Sequence, residues 1–370
     1  MKKLCLIFNL PSLYRKNIYH KIDESFDCDW YFTDLQSNIK TFDTAILKNP
    51  IVKLHVRYFG KSCFSVYGLS KLLVDNRYDT FLMIGDAHDL GTWKMLIRKQ
   101  LFHRKKRIFF WTHGWYGKEI TFEKILKKAF FKMVDGIFLY GNYARNLMIK
   151  EGFNPKKLFV IHNSLNYEQQ ISLRQTLKPE PIYQMHFGND NPNLIFVGRL
   201  TNVKKLDMAL KAISLCKEKG YDFNLTLIGD GEAKEELLSQ AKYLGIEKQV
   251  WFNGACYDEE ILGKMIYNAD LCVSPGNVGL TAMHSLAYGT PVITHNDFGH
   301  QMPEFEAIHE GINGTFFKEG NVESLAESIV QWSEEKKEKR DEVRHACYEE
   351  IDTQWTPDFQ INTIMSYIHE

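Results

Sequence analysis

Residues 274–294, SPGNVGLTAMHSLAYGTPVIT, are the stretch that decides the fold. A strand ends at Pro275, a loop of small residues follows, and a helix begins near Leu280. Gly289-Thr290-Pro291 ends that helix and starts the next apolar strand. A strand, a helix and a second strand in this order indicate one βαβ unit of a parallel sheet. The free N–H groups at the start of the helix can hold phosphate oxygens without a metal ion.

The same alternation of short apolar runs and helical stretches continues in both directions, which is typical of a doubly wound α/β sheet. The predicted strands are LCLIF, WYFT, TFLMIG, RIFFWTHG, GIFLYG and KLFVIHN in the first half and NLIFVG, FNLTLIG, QVWFNG, DLCVSPG, PVITH and GTFF in the second. The predicted helices cover residues 92–102, 122–133, 206–219, 232–244, 258–268, 280–287, 322–344 and 355–368.

Two domains are expected, because 370 residues exceed the roughly 250–300 at which a single core stops growing. Residues 168–193 hold three prolines and lack a sustained apolar period, so they predict the connection between the domains. We expect a Rossmann-like domain over residues 1–178, a linker over 179–192 and a second Rossmann-like domain over 193–351. The last helix, within 352–370, is expected to pack back on the first domain.

Ligands of open α/β sheets bind beyond the carboxyl ends of the strands, so the residues that follow each strand are the candidates for a site. Arg199 and Lys204 follow strand NLIFVG and suit a diphosphate, although a plain surface role for such a pair is common. Gly229-Asp230-Gly231 follows the next strand. Lys234 stands where a dinucleotide fingerprint has its third glycine, which disfavours a nicotinamide site.

Charge is distributed unevenly along a chain with no net charge. Residues 1–185 hold 30 Lys and Arg against 16 Asp and Glu, and the remainder holds 16 against 30. Residues 94–132 hold 12 basic side chains and two acidic ones. This basic region is either a solvated surface or a contact for an anionic membrane. Nucleic acid ranks last, because the region shows no helix-turn-helix and no aromatic RNA-binding pattern.

Seven scattered cysteines without a C-x-x-C pair favour reduced thiols over disulfides or a zinc site. Pro11 and Arg15 interrupt the first apolar run too early for a secretory signal, and no stretch has the ~20 apolar residues of a membrane span. We therefore expect a cytoplasmic protein, associated at most with the inner face of the cytoplasmic membrane.

Five segments then resemble a known family in their order and spacing: FVGRLTNVKK, LIGDGEAKEEL, VWFNGACYDEEILGKMIYNADLCVSPG, VGLTAMHSLAYGTPVI and EGINGTFF. They resemble the C-terminal domain of retaining GT-B glycosyltransferases of family 4 (group 1 glycosyltransferases). The resemblance covers roughly residues 193–335. It implies the GT-B fold, with two Rossmann-like domains facing a central cleft, and sugar transfer from a nucleotide sugar such as a UDP- or GDP-sugar.

The resemblance also implies roles for single residues. Arg199 and Lys204 fall on the family's pair that neutralises the donor diphosphate, and His113 falls on a histidine near the transferred sugar. The implied catalytic residues are these three. The implied donor-binding residues are Gly198, Gly229, Asn253, Gly254, Ala255, Cys256, Gly276, Asn277, Gly279, Leu280, Thr281 and His284. No cofactor or metal ion is implied.

Two glutamates of the family pattern are missing. Gly276 stands at the first, near the transferred sugar, and His284 at the second, which normally accepts hydrogen bonds from ribose hydroxyls. An imidazole accepts only one such bond, through its unprotonated nitrogen. His284 is therefore either a substitute contact for the ribose or sugar or a packed helix histidine.

Candidate acceptor-binding residues lie in the first half. The family's glycine-rich loop after the first strand is replaced by FNLPS, which ends at Ser12 and is followed by Arg15. Asp86 and His88 follow strand TFLMIG, where a loop that bonds the acceptor, a metal site and a simple turn are the alternatives. We expect transfer to a lipid-linked oligosaccharide or another glycan in surface polysaccharide synthesis (capsule, O-antigen or exopolysaccharide). A catalytically inactive nucleotide-sugar-binding protein and a GT-B epimerase remain alternatives.

Overall fold

The computed structural model describes residues 2–34, 39–60 and 63–369. These residues form two compact units. The first unit runs to Leu165 and includes the chain again from Pro357, and the second is Asn166–Thr356.

The first unit is built on a parallel sheet. In the described part of this unit seven strands pair in the order β3-β2-β1-β6-β7-β8-β9. They are β1 (Lys3–Phe8), β2 (Cys28–Thr33), β3 (Val52–Leu54), β6 (Tyr78–Ile84), β7 (Arg107–Thr112), β8 (Gly136–Leu139) and β9 (Leu158–Val160). The strand order reverses between β1 and β6, so the loops after these two strands lie at the switch point where α/β sheets bind ligands.

Helices and a hairpin complete this unit. The helices are α1 (Lys16–Ser25), α2 (Leu69–Val74), α3 (Leu90–Phe102), α4 (Thr121–Lys132), α5 (Asn142–Lys150) and α14 (Pro357–Ile368), and the antiparallel hairpin is β4 (Val56–Phe59) with β5 (Cys63–Val66). Helix α14 belongs here because Ile361, Ile364 and Ile368 are buried in the same core as Ile18 and Ile22 of α1.

The second unit repeats the architecture. Its described strands pair in parallel in the order β12-β11-β10-β13-β14-β15. They are β10 (Asn193–Val197), β11 (Asn224–Ile228), β12 (Val250–Gly254), β13 (Leu271–Ser274), β14 (Val292–His295) and β15 (Gly314–Phe317). The helices are α6 (Tyr167–Arg174), α7 (Ile182–Phe187), α8 (Leu206–Glu218), α9 (Lys234–Tyr243), α10 (Glu259–Asn268), α11 (Leu280–Ala287), α12 (Val322–Lys336) and α13 (Arg340–Gln354). The switch point lies between β10 and β13.

The division of the chain differs from the sequence expectation. Residues 166–178, assigned to the first domain, belong to the second unit. The predicted linker 179–192 contains helix α7, whose Tyr183 donates its hydroxyl proton to the carbonyl oxygen of Met265 over 2.6 Å. A proline-rich composition therefore did not mark a free connection, because apolar side chains of this segment pack on α10.

Two further differences concern single elements. The helix predicted over 322–344 is divided into α12 and α13 by a 3₁₀ turn at Lys337–Lys339. The hairpin β4–β5 was not predicted, because its strands are short and mostly exposed and so lack a clear apolar alternation.

Two further findings concern the cysteines and the helices that could cross a membrane. The seven cysteines are free thiols. Among the described helices, none combines the length and the apolar character that crossing a membrane requires.

Candidate functional site

The predicted phosphate site of the second unit begins at the loop after β10. Gly229, which follows β11, has no room for a Cβ, because it would lie 1.8 Å from the carbonyl oxygen of Gly198. A Cβ at Gly231 would likewise lie 2.3 Å from the carbonyl oxygen of Leu200. The loops after β10 and β11 therefore contact each other through their backbones. This contact explains Gly-Asp-Gly in a protein whose sequence lacks a dinucleotide fingerprint.

Arg199 and Lys204 have different environments. Arg199 is exposed, and it forms no ion pair with a described residue. The Lys204 ammonium is half-buried and donates to the carbonyl oxygen of Asn277 over 2.7 Å and to its side-chain oxygen over 2.9 Å. Burial lowers the pKa of Lys204 to about 8, with Arg199 lowering it further and Glu304 opposing the shift. Lys204 thus lies against the loop that leads into α11.

The loop before α11 is held from two sides. The N–H of Gly276 donates to the carbonyl oxygen of Lys204 over 3.0 Å, and the N–H of Val278 donates to the side chain of Gln301 over 2.9 Å. Gly279, directly before the helix, has φ +54° and ψ −148°, a conformation open essentially to glycine alone. The first N–H groups of α11, which have no acceptor within the helix, follow next to the Lys204 ammonium.

Thr281 contributes less than the sequence suggests. Its hydroxyl donates to the carbonyl oxygen of Val197 over 2.8 Å, which ties α11 to β10. A phosphate oxygen needs a donor, so at Thr281 only the backbone N–H is suited to an anion. Leu280 likewise can contribute only its backbone there.

The two positions that lack glutamates are explained locally. A Cβ at Gly276 would overlap the carbonyl oxygen of Val203 and lie 2.8 Å from the Cα of Lys204, so this loop has no room for a side chain. At His284, Nδ1 is buried and accepts or donates no hydrogen bond within the described residues. Burial lowers the pKa of His284 although Glu259 opposes the shift, so the imidazole is neutral near pH 7.

The loop predicted to hold the nucleobase follows β12. Asn253 and Gly254 end the strand, and the carbonyl oxygen of Gly254 accepts from the N–H of Gly229 over 2.9 Å. Ala255 is exposed and Cys256 is half-buried. The structure thus connects this loop to the Gly229 turn through one backbone hydrogen bond.

The candidate residues of the first unit separate into two groups. Arg15 and His113 lie inward, each next to Tyr140. Ser12 is buried and bridges to Thr41. Asp86 and His88 are exposed and bind each other, with Asp86 accepting from the His88 backbone N–H over 2.9 Å.

Sequence reasoning missed Gln301 and Glu304. Gln301 is buried and also donates to Thr294 and to the carbonyl oxygen of His295. Glu304 is buried close enough to Lys204 to affect its pKa. Both follow β14, so the strand-end rule that found Arg199 could have found them. Among the described residues, no group of three or more His, Cys, Asp or Glu side chains is placed to hold a metal ion.

Comparison with known proteins adds independent findings. Residues 183–350 match the family Glycosyl transferases group 1. The chain is 26% identical over 182 residues to the uncharacterized glycosyltransferase MJ1607 of Methanocaldococcus jannaschii, covering 48% of this chain and 42% of the relative. It is also 26% identical to an uncharacterized 41.2 kDa protein in the cps region of Klebsiella pneumoniae, covering 61% and 60%. The matches thus span about half the length of these relatives.

Solved structures show the fold over the whole chain. The Anabaena protein Alr3699/HepE in complex with UDP has a TM-score of 0.73 at 14% identity, covering all of both chains. The lipopolysaccharide outer core galactosyltransferase WaaB in its apo form has a TM-score of 0.73 at 17% identity, covering 98% and 99%. Residues 183–350 of the second unit are thus similar to the group 1 glycosyltransferases, and the fold over the whole chain is that of these GT-B structures.

Proposed function

We propose that the chain transfers a sugar from a UDP- or GDP-sugar, with retention of configuration, to a glycan or lipid-linked acceptor in surface polysaccharide synthesis. The exposed, unpaired guanidinium of Arg199 next to Lys204 and the start of α11 is the observation that carries this proposal. The names of the similar proteins support it: one was solved with UDP, another is a lipopolysaccharide galactosyltransferase, and a third lies in a cps region.

The chemistry follows from charge. Breaking the bond between the sugar and the diphosphate leaves negative charge on the leaving oxygen, which preorganised donors stabilise. Arg199 supplies a planar fork, Lys204 a point charge and α11 its first N–H groups. We expect these groups to replace a metal ion. The acceptor hydroxyl bonds to the anomeric carbon and its proton passes to the leaving phosphate oxygen.

Calorimetric titration of UDP and GDP into the full chain tests the donor site. We expect one nucleotide to bind, Arg199→Ala to weaken it at least about tenfold, and Lys204→Ala to do the same, since a charge-assisted hydrogen bond contributes ~1.5–3 kcal/mol. Lys211→Ala is the matched control, because Lys211 is paired with Asp207 on the exposed side of α8. Equal affinity in all four chains would contradict the proposal.

Binding without turnover is the second candidate, and the surroundings of Gly276 and His284 favour it over epimerisation. Gly276 admits no side chain and His284 is neutral, so neither replaces a family carboxylate. Release of nucleoside diphosphate from the bound nucleotide sugar, measured with candidate acceptors, separates the two. Release above the background of Arg199→Ala supports the transferase, and tight binding without release supports the inactive protein.

We also propose that the first unit contacts an anionic membrane through α3 and α4. On α4, Phe122 is 70% exposed and Ile125 62%, and with Leu126 they form an apolar stripe at helical spacing. Of the basic region, several cations are occupied within the unit: Lys99 pairs with Asp135, Lys124 with Glu151 and Lys127 with Glu119. Five other cations of this region form no ion pair, side-chain hydrogen bond or cation–π contact with a described residue: Lys94, Arg98, Lys105, Lys128 and Lys132. A basic helix with an outward apolar face is typical of interfacial binding.

Flotation with vesicles tests the membrane contact. We expect binding to phosphatidylglycerol vesicles that falls with salt, because each cation contributes ~1 kcal/mol near an anionic surface. The double variant Phe122→Ser/Ile125→Ser is expected to lose binding. Tyr243→Ser serves as the control, since Tyr243 on α9 of the second unit is even more exposed than Phe122 and Ile125. Absence of binding, or binding that salt does not weaken, contradicts the proposal.

A further inference from the structure

A buried arginine without a carboxylate partner lies in the first unit. Arg15, in the 3₁₀ turn before α1, donates from Nη1 to the hydroxyl oxygen of Tyr19 over 3.2 Å and from Nη2 to that of Tyr140. Its guanidinium carbon lies 5.3 Å from the centre of the Trp111 ring. Arg15 forms no ion pair with a described carboxylate. The charge is therefore surrounded by neutral aromatic groups.

The hydrogen bonds of Arg15 are incomplete. A guanidinium has five N–H donors and cannot lose its proton in a protein. Two donors are used, and Nε is buried without any partner among the described residues. A buried charge without a counter-charge is costly, and arginine cannot escape that cost by becoming neutral. An anion next to the guanidinium would remove most of it.

His113 brings a second unpartnered group to the same place. Its ring lies 4.7 Å from that of Tyr140, and its Nδ1 is buried without a partner in the described chain. Burial, and after it the charge of Arg15, lowers the pKa of His113 to about 4. No carboxylate contributes to that shift. The charge of Arg15 thus acts on His113, and no carboxylate of the described residues forms an ion pair with either side chain.

The position in the fold is that of a ligand site. Arg15 follows β1, His113 follows β7 directly and Tyr140 follows β8 directly, so all three lie at the carboxyl ends of parallel strands. The loop after β1 also borders the switch point of this sheet, where ligands of such sheets bind. A purely structural arginine would have no reason to lie there unpaired.

We propose that Arg15 and His113 form an anion site on the first unit that binds a phosphate or diphosphate group of the acceptor. The planar fork of arginine matches two phosphate oxygens at once, and the neutral imidazole can add one donor. The assignment to the acceptor rests on the proposed function, whereas binding of the anion itself does not. Phosphate on a lipid carrier and phosphate on a free sugar share this chemistry.

Calorimetric titration with inorganic pyrophosphate tests the site. The chain used carries Arg199→Ala and Lys204→Ala, which remove the side-chain cations of the second-unit site. We expect binding to remain and to weaken at least about tenfold when Arg15→Gln is added, since glutamine keeps a polar side chain but removes the charge that attracts the anion. Arg57→Gln is the control, because Arg57 is an exposed arginine of the same unit. Loss of binding in the starting chain, or an unchanged affinity in Arg15→Gln, overturns the proposal.

A second measurement keeps Arg15 and therefore does not depend on whether Arg15→Gln folds. The His113 ring is followed by NMR through an acid titration, and its signal is identified by its absence in His113→Gln. Pyrophosphate next to Arg15 is expected to raise the pKa of His113 from about 4, because it offsets the charge of Arg15. An unchanged pKa at saturating pyrophosphate contradicts the site.

Two further ligands identify the source of the phosphate. Farnesyl diphosphate binding more tightly than pyrophosphate supports a lipid-linked acceptor, and glucose 1-phosphate binding more tightly supports a phosphorylated sugar. Failure of the donor titration with UDP and GDP would remove the proposed function but leave this anion site standing. The two results can therefore be told apart.

Discussion

Lys204 is a cation of the second unit whose pKa is changed by its surroundings. It is half-buried, bonded to Asn277 and close to Arg199, and the loss of solvent lowers its pKa to about 8. The folded state therefore loses this proton at a lower pH than the unfolded state, whose lysine titrates near 10.5. The lowered pKa decreases the free energy of unfolding at every pH at which the lysine is charged in both states. This decrease disappears as pH rises from about 8 to 10.5, where the folded state has already lost the proton.

Nucleotide binding is expected to depend on that proton. Affinity for the preferred nucleoside diphosphate falls as pH rises through about 8, because neutral Lys204 no longer attracts the anion. Lys204→Arg keeps its charge in this range and is expected to remove the fall. Calorimetry between pH 7 and 9.5 on both chains is the measurement. A parallel decline in the arginine variant would assign the effect to another group.

Part of the candidate site could be predicted from the sequence, residue by residue. Arg199 and Lys204 were predicted from their place after a strand and from a family resemblance, and the structure brings Lys204 to the loop before α11 with Arg199 close to it. The sequence could not show why Gly276 replaces a glutamate, because the overlap with Val203 depends on how two loops pack. Arg15 was expected to meet an acceptor, but its burial among three aromatic rings has no signal in the sequence.

At the scale of elements, α11 and the loop before it are positioned by Gln301. This side chain accepts from the N–H of Val278 and donates to Thr294 and to the carbonyl oxygen of His295. It thus connects the entry of α11 to the end of β14. Most helices and all strands except β3, β4 and β5 were predictable from apolar periodicity. The connection through Gln301 was not, because it runs between elements distant in sequence.

Gln301→Ala is expected to loosen the α11 entry. It leaves buried groups without partners, at a cost of ~1–3 kcal/mol, and nucleotide affinity falls because the N–H groups are no longer held in place. Gln331→Ala is the control, since Gln331 bonds only Glu335 on the exposed side of α12. Thermal unfolding and nucleotide titration measure both effects. Unchanged values in Gln301→Ala would show that the loop is held by other contacts.

The whole molecule combines two units of like architecture and opposite charge. Each unit has its switch point beside its first strand. The first unit holds Arg15 and His113, and the second unit holds Arg199 and Lys204. The excess of basic residues in the first half and of acidic residues in the second was visible in the sequence. The boundary was not, because the helices after Leu165 pack on the second unit although their composition resembles a linker.

Helix α14 allows the stability of the first unit to be changed alone. Ile364→Ala removes a fully buried side chain from the core of that unit and is expected to cost ~2–5 kcal/mol. Nucleotide affinity should stay the same, because the donor residues lie in the other unit. Asn362→Ala, exposed on the same helix, is the control. A loss of affinity in folded Ile364→Ala would contradict the division of roles.

Hydrogen–deuterium exchange with and without the preferred nucleoside diphosphate tests the central claim most directly. We expect slower exchange in residues 198–204 and 276–284, the two segments that we propose to hold the diphosphate together with Arg199 and Lys204. The same nucleotide added to Arg199→Ala should leave these segments unchanged. Protection confined to other segments, while the nucleotide is bound, would contradict the assignment of the donor site.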